Sequence, residues 1–277
     1  MPDLRVVLAV FKREFLSFFA SPTGYVFITL FVFLSAVAAF WQERFFLANL
    51  ANLDQLNELF PYLLVFLVPS LTMGLWASER HQGTDELLLT LPAGDWALVL
   101  GKYLAGVAIY TVAIGFSLSH VVVLSWLGNP DTGLLAANYF RYWLMGMALV
   151  AAGMLASQLT ANLTVAFILG AVFCAIPVFL RHAGALVAGD LSMVEQFREL
   201  SLGIVTTGAL AYFSVFAFAM LYLNRLLVGR RRWRTGQGAP WMGVHTVLRA
   251  AALLVIVGSA AILGARFGGR VDVTSEQ

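Results

Sequence analysis

Residues 60–92 read FPYLLVFLVPSLTMGLWA and then, without a break, SERHQGTDELLLTLP. The first part, Phe60 to Ala77, carries no charged side chain. At about 1.5 Å per residue it is long enough, as a helix, to cross most of a hydrocarbon layer roughly 30 Å thick. Its apolar character is continuous rather than alternating, which excludes a barrel strand and leaves a helix as the only way to satisfy the backbone in lipid. The second part is a charged connector. It carries Glu79, Arg80, Asp85 and Glu86 together with Leu87, Leu88 and Leu91, and it stops at Pro92.

Working outward from this stretch, the same apolar pattern recurs along all 277 residues, of which 60% are hydrophobic and only 12% charged. That balance excludes a soluble domain, whose surface would be apolar throughout. The runs are Tyr25–Trp41, Phe60–Ala77, Tyr103–Leu127, Tyr142–Leu159, Leu163–Leu180, Ile204–Leu223 and Val247–Ala265. The predicted fold is therefore all-α: a polytopic helical membrane protein with six core spans and a seventh. Basic residues cluster at Arg5, Lys12, Arg13, Arg80, Lys102 and the run Arg230, Arg231, Arg232 and Arg234. Retention of Lys and Arg on the inner side puts the N-terminus and the connector in the cytoplasm and the residues after Ala265 outside. The one cysteine, Cys174, is a small packing residue within the fifth run. Ala36-Val37-Ala38 has the small-residue pattern of a signal cleavage site, but the apolar run begins too late for a signal peptide.

Asp3 to Ala20 places Leu4, Val7, Leu8, Phe11, Phe15, Phe18 and Phe19 at three- and four-residue spacing, with Arg5, Lys12, Arg13 and Glu14 off the stripe. Such a helix lies in the interface, with its aromatic face toward acyl chains and its cations near headgroups. Ser21-Pro22-Thr23-Gly24 breaks it. As a surface anchor this segment needs nothing further; as an elbow that transmits force into the first span it needs a partner below.

The elbow, the breaker, two spans and the spacing of Glu79, Gly83-Thr84, Glu86, Leu88, Pro92 and Gly101-Lys102 together resemble the permease subunit of ABC-2 type ABC transporters. Lys12-Arg13-Glu14-Phe15, Ser21-Pro22, Tyr25-Val26-Phe27 and Leu88-Leu89-Thr90-Leu91-Pro92 are similar to the gliding-motility-type permeases in particular. The resemblance implies that residues 79–95 form a coupling helix docked on a separate cytoplasmic ABC ATPase. The contact residues would be Glu79, Arg80, Gly83, Thr84, Asp85, Glu86, Leu88 and Pro92. It further implies an interfacial elbow built on Phe11, Lys12, Arg13, Phe15 and Pro22. The pathway would form between two permease copies, or one copy and a related permease, with an extracytoplasmic accessory subunit as a further partner. Charge complementarity and the apolar leucines suit such a dock. A polar loop with leucines resting in the interface would account for the composition but not for the spacing.

No catalytic, cofactor or metal constellation is legible. The Gly101-Lys102 pair is followed by Tyr103, and Trp96 stands where a phosphate-cradling loop needs its first glycine. The chain is therefore no enzyme, and ATP would be bound by the partner. Ser119-His120 lacks a neighbouring acid and reads as a histidine hydrogen-bonded between helices. Gln158 and Asn162 bracket a tight hairpin and satisfy backbone groups. Ala148, Ala152 and Ala156 allow close approach to another helix. Leu191, Val194, Phe197 and Leu200 give the segment 181–203 helical spacing, and the resemblance implies short helices dipping into the outer leaflet there.

The organisation read from the chain is an elbow (1–21), a six-span domain (22–228), a basic linker (229–246), and a seventh span with a short outer tail (247–277). The arginines of the linker, with Trp233 and Trp241, read as an anchor to anionic membrane lipid rather than a nucleic-acid site. A seven-span receptor conflicts with the cytoplasmic N-terminus, and a retinal pump conflicts with lysine occurring only at positions 12 and 102. A polytopic scaffold without an ATPase, and a complex that transmits force without moving cargo, remain as alternatives.

Overall fold

The computed structural model describes residues 2–41, 52–90, 93–180, 192–199, 204–233 and 270–272. Helix α1 (Pro2–Ala20) gives way at Ser21 to α2 (Pro22–Phe40). Ser21 is extended, its Oγ accepts from the Thr23 amide at 3.2 Å, and proline occupies the first turn. This is a helix start written in local chemistry. Gly24 lets the two helices close on each other, since a Cβ there would sit 2.5 Å from the Phe18 carbonyl oxygen.

Helix α3 (Asp54–Thr72) runs through Met73 into α4 (Gly74–Gln82). Gly83 ends it in the left-handed region, at φ 70°, and the Thr84 amide donates to the Glu79 carbonyl at 2.9 Å. The pair of features is a Schellman termination. The short α5 (Asp85–Thr90) follows. The stretch 79–95 is thus a helix end, a glycine turn and a second short helix rather than one continuous helix.

Helix α6 (Asp95–Ser117) adjoins α7 (Ser119–Leu127) at Leu118. Asp131 caps α8 (Thr132–Ser157) by accepting from the Gly133 and Leu134 amides, and Asn162 caps α9 (Leu163–Phe179) by accepting from Thr164 and Val165. Helix α10 (Met193–Glu199) carries Val194 and Phe197 on the expected helical spacing. Strand β1 (Ile204–Thr206) then precedes α11 (Thr207–Trp233) and pairs antiparallel with β2 (Arg270–Asp272).

Two boundaries differ from expectation. Ile204-Val205-Thr206 is a β-branched triplet at the edge of the apolar run, and it forms a strand where the sixth span was expected to begin. At the other end α11 continues past Leu223 through Arg230, because arginine is a good helix former and no breaker intervenes.

Among the described residues, five stretches are long and apolar enough to cross a membrane: Pro22–Phe40, Asp54–Gln82, Asp95–Leu127, Thr132–Ser157 and Gly208–Arg231. Helix α9 is apolar but shorter. These six overlap the first six runs of the sequence. The seventh, Val247–Ala265, lies outside the described residues, as do Pro92, residues 181–191 and 200–203, and the linker from Arg234 onward.

Helix α8 is the centre of the bundle, packed by α3, α6, α9 and α11. Its small side chains Ala148, Ala152 and Ala156 are all buried, so their stripe serves packing within the chain. Gly146 is the tightest point, where a Cβ would fall 2.0 Å from Tyr110 Cζ. Tyr110 in turn donates to the Tyr142 carbonyl at 2.7 Å. Phe33, Phe66, Phe116, Ile168, Ile176 and Phe218 face outward, as lipid-facing positions of a bundle must.

Candidate functional site

Lys102 lies in α6 two turns from its start and is completely buried. A buried ammonium is costly unless it is paired and hydrogen-bonded. Lys102 has both kinds of partner. Its Nζ donates to the Leu75 carbonyl at 2.6 Å and to Glu14 Oε1 at 2.8 Å, and it lies 3.0 Å from Glu79 Oε2 in an ion-pair contact. It also sits 4.9 Å from the centre of the Trp76 ring, within cation–π range. Arg13 completes the group by donating to Glu14 Oε1 at 2.6 Å and to Glu79 Oε1. Two acids and two cations from α1, α4 and α6 therefore neutralise one another at the root of the connector.

This arrangement explains why α1 docks as it does. Val10 packs into the space left by Gly101, where a Cβ would approach Val10 Cβ to 2.7 Å. Phe15 and Phe18 continue the contact toward α2, with Phe18 and Phe27 edge to face at 6.0 Å. The aromatic stripe thus packs largely on protein. Leu4, Leu8 and Leu16 are the exposed apolar positions, Lys12 is exposed, and the Phe11 ring stacks on Phe15 at 5.7 Å. Glu14, read from the sequence as part of the polar face, is turned inward because Lys102 is there to meet it. Burial by itself pushes the Glu14 carboxyl up, but Lys102 and Arg13 outweigh that and hold it below its ordinary value. For Arg13, burial acts downward and is outweighed by Glu14 and Glu79, so the guanidinium is held more firmly protonated.

A second junction ties the connector to the other side of the bundle. Arg80 Nη1 and Arg231 Nη2 both donate to the Gln158 carbonyl, at 2.7 and 2.6 Å, and Arg231 Nη1 lies 3.6 Å from Asp85 Oδ2. Gln158 is the end of α8 and Arg231 is near the end of α11, so three segments converge on one carbonyl oxygen. With its amide nitrogen turned toward Asn224, the Gln158 side chain meets Asn224 Oδ1 at 3.1 Å.

Of the residues assigned to the connector's contact surface, Glu79, Arg80 and Asp85 are accordingly engaged within the chain, and Leu88 is buried. Thr84 and Glu86 are exposed beside Gly83 and Leu87, and they form the tip.

On the opposite side of the bundle the structure assembles polar groups that sequence reading left apart. His120 Nε2 is 2.9 Å from Ser35 Oγ, a bond between α7 and α2. Arg141 is fully buried, donates from Nη1 to the Phe197 carbonyl at 3.3 Å, and stands 4.4 Å over the Phe197 ring. Among the described residues its Nε and Nη2 have no hydrogen-bond partner, nor has either side-chain atom of buried Asn138, one turn earlier. The available signal was Asn138 and Arg141 three residues apart on one face of an otherwise apolar helix.

A family model described as "ABC-2 family transporter protein" matches residues 8–267. Two relatives named "Probable multidrug ABC transporter permease YbhR", from Escherichia coli strain K12 and from Escherichia coli O157:H7, are each 35% identical over 134 residues. The match covers 48% of this chain and 33% of either relative, so the chain spans about a third of the length of the curated relatives it matches. No protein of solved structure matches it. With the family model spanning most of the chain and the apolar helices in place, the chain belongs to the ABC-2 transporter permease family.

Proposed function

We propose that this chain is the membrane-spanning permease of an ABC transporter in the cytoplasmic membrane. Its N-terminus lies inside, and the tip formed by Gly83, Thr84, Glu86 and Leu87 docks on a separate ATPase subunit. The observation that carries this reading is the cluster of Arg13, Glu14, Glu79 and Lys102. It fastens the helix bearing the tip to α1 and α6 through charges that cannot separate cheaply. A push on the tip is then delivered to the elbow and to α6 as one body, while Arg80 and Asp85 deliver it to the ends of α8 and α11.

Two copies enclose the pathway and alternate between inward and outward access as the ATPases close and open. The name of the Escherichia coli relatives makes organic drug-like molecules the first substrates to test on this chain. The test of coupling is Glu86→Arg, co-expressed with the ATPase subunit that co-purifies with the parent chain. Stimulated ATP hydrolysis is lost while the permease stays inserted and folded; retained stimulation would remove Glu86 from the dock.

A further inference from the structure

A cleft of about 250 Å³ opens beside the Gln158 junction, lined by Arg80, Gln158, Leu159, Leu227, Arg230 and Arg231. Three guanidiniums surround it, against the carboxylate of Asp85, 3.6 Å from Arg231. Arg80 and Arg231 each donate to the Gln158 carbonyl at its edge. Arg230 is exposed and makes no hydrogen bond among the described residues. Planar forks converging on a concave site suit the oxygens of a phosphate group.

We infer that this cleft binds the phosphodiester of an anionic lipid and thereby clamps the connector to the end of α11. Its lining and its depth favour a lipid over a free phosphate. Leu159 and Leu227 form an apolar wall beside the arginines, and both lie at the ends of apolar helices, where hydrocarbon gives way to water. A headgroup bound there keeps its acyl chains in the bilayer while its phosphate meets the cations. The inference rests on this boundary position and not on docking of an ATPase, so the two stand or fall separately.

The test uses the full chain, reconstituted in vesicles of equal parts phosphatidylcholine and phosphatidylglycerol, extracted in dodecyl maltoside and weighed by native mass spectrometry. The chain is expected to retain phosphatidylglycerol in preference to phosphatidylcholine. Arg230→Gln should lower that retention on the order of tenfold, the usual worth of a charge-assisted contact, with an unchanged melting temperature. Arg230→Lys should recover part of it by restoring charge without the fork. Arg225→Gln, which removes a cation of α11 that stands over the Trp96 ring and does not line the cleft, should retain lipid as the parent does. Undiminished retention in Arg230→Gln, or an equal loss in Arg225→Gln, would overturn the site. Displacement of the lipid by millimolar inorganic phosphate would make it a site for free anions and overturn the lipid assignment.

Discussion

Lys102 Nζ and Glu14 Oε1 are 2.8 Å apart although 88 positions separate the residues in the chain, and this contact joins the interfacial elbow to the helix that follows the connector. The lysine is fully buried and its two acids are partly exposed. Removing it leaves Glu14 and Glu79 facing each other with only Arg13 between them.

Lys102→Met is therefore expected to destabilise the protein by about 3 kcal/mol, the usual cost of stranding a buried charge. The loss reads as a lower melting temperature in detergent and as faster proteolysis of α1. Adding Glu14→Gln should restore part of that stability, and a double-mutant cycle measures how much. Additive effects would show that the two side chains do not interact.

Acid should release the elbow. The Glu14 carboxyl in the folded protein lies below its ordinary 4.5, so its contribution is complete above that value and disappears as the pH falls through the folded-state value. Hydrogen exchange of the α1 amides should rise in that window. Glu14→Gln should flatten the acid response, and an unchanged profile would exclude Glu14 as its source.

Gly83→Ala and Gly146→Ala should fail for different reasons. At Gly83 nothing lies within 4 Å of the added Cβ, so the cost is the left-handed backbone alone, about 1 kcal/mol. Gly83→Asn, which tolerates that conformation, should recover most of it. At Gly146 the Cβ would overlap the Tyr110 ring, α6 and α8 must part, and the protein should not accumulate. Normal yield of Gly146→Ala would contradict the packing described here.

Arg141→Met should leave the melting temperature unchanged or raise it. Among the described residues the buried arginine makes one hydrogen bond and leaves two nitrogens unpaired, and an apolar side chain of similar volume avoids that desolvation cost. A large fall would mean that its contacts with Phe197 and Tyr142 hold α10 in place.

The amino-acid sequence alone determined that the chain is a bundle of membrane helices and where its breaks fall. Continuous apolar runs, the Ser21-Pro22 start and the Asn162 cap act over a few residues, so their consequences are legible without knowing any neighbour; the sequence read Gly83 as a bend and Pro92 as the stop, whereas the helix ends at Gly83. Tertiary structure decided everything that depends on a distant partner. It turned Glu14 and Glu79 inward to Lys102, buried Leu88, and engaged Arg80 with the end of α8. It also enclosed Arg141 beneath α10. Periodicity reveals which face of a helix is apolar, but the pairing of a charge depends on what the fold brings within a few ångströms, and that is set by packing across the whole bundle.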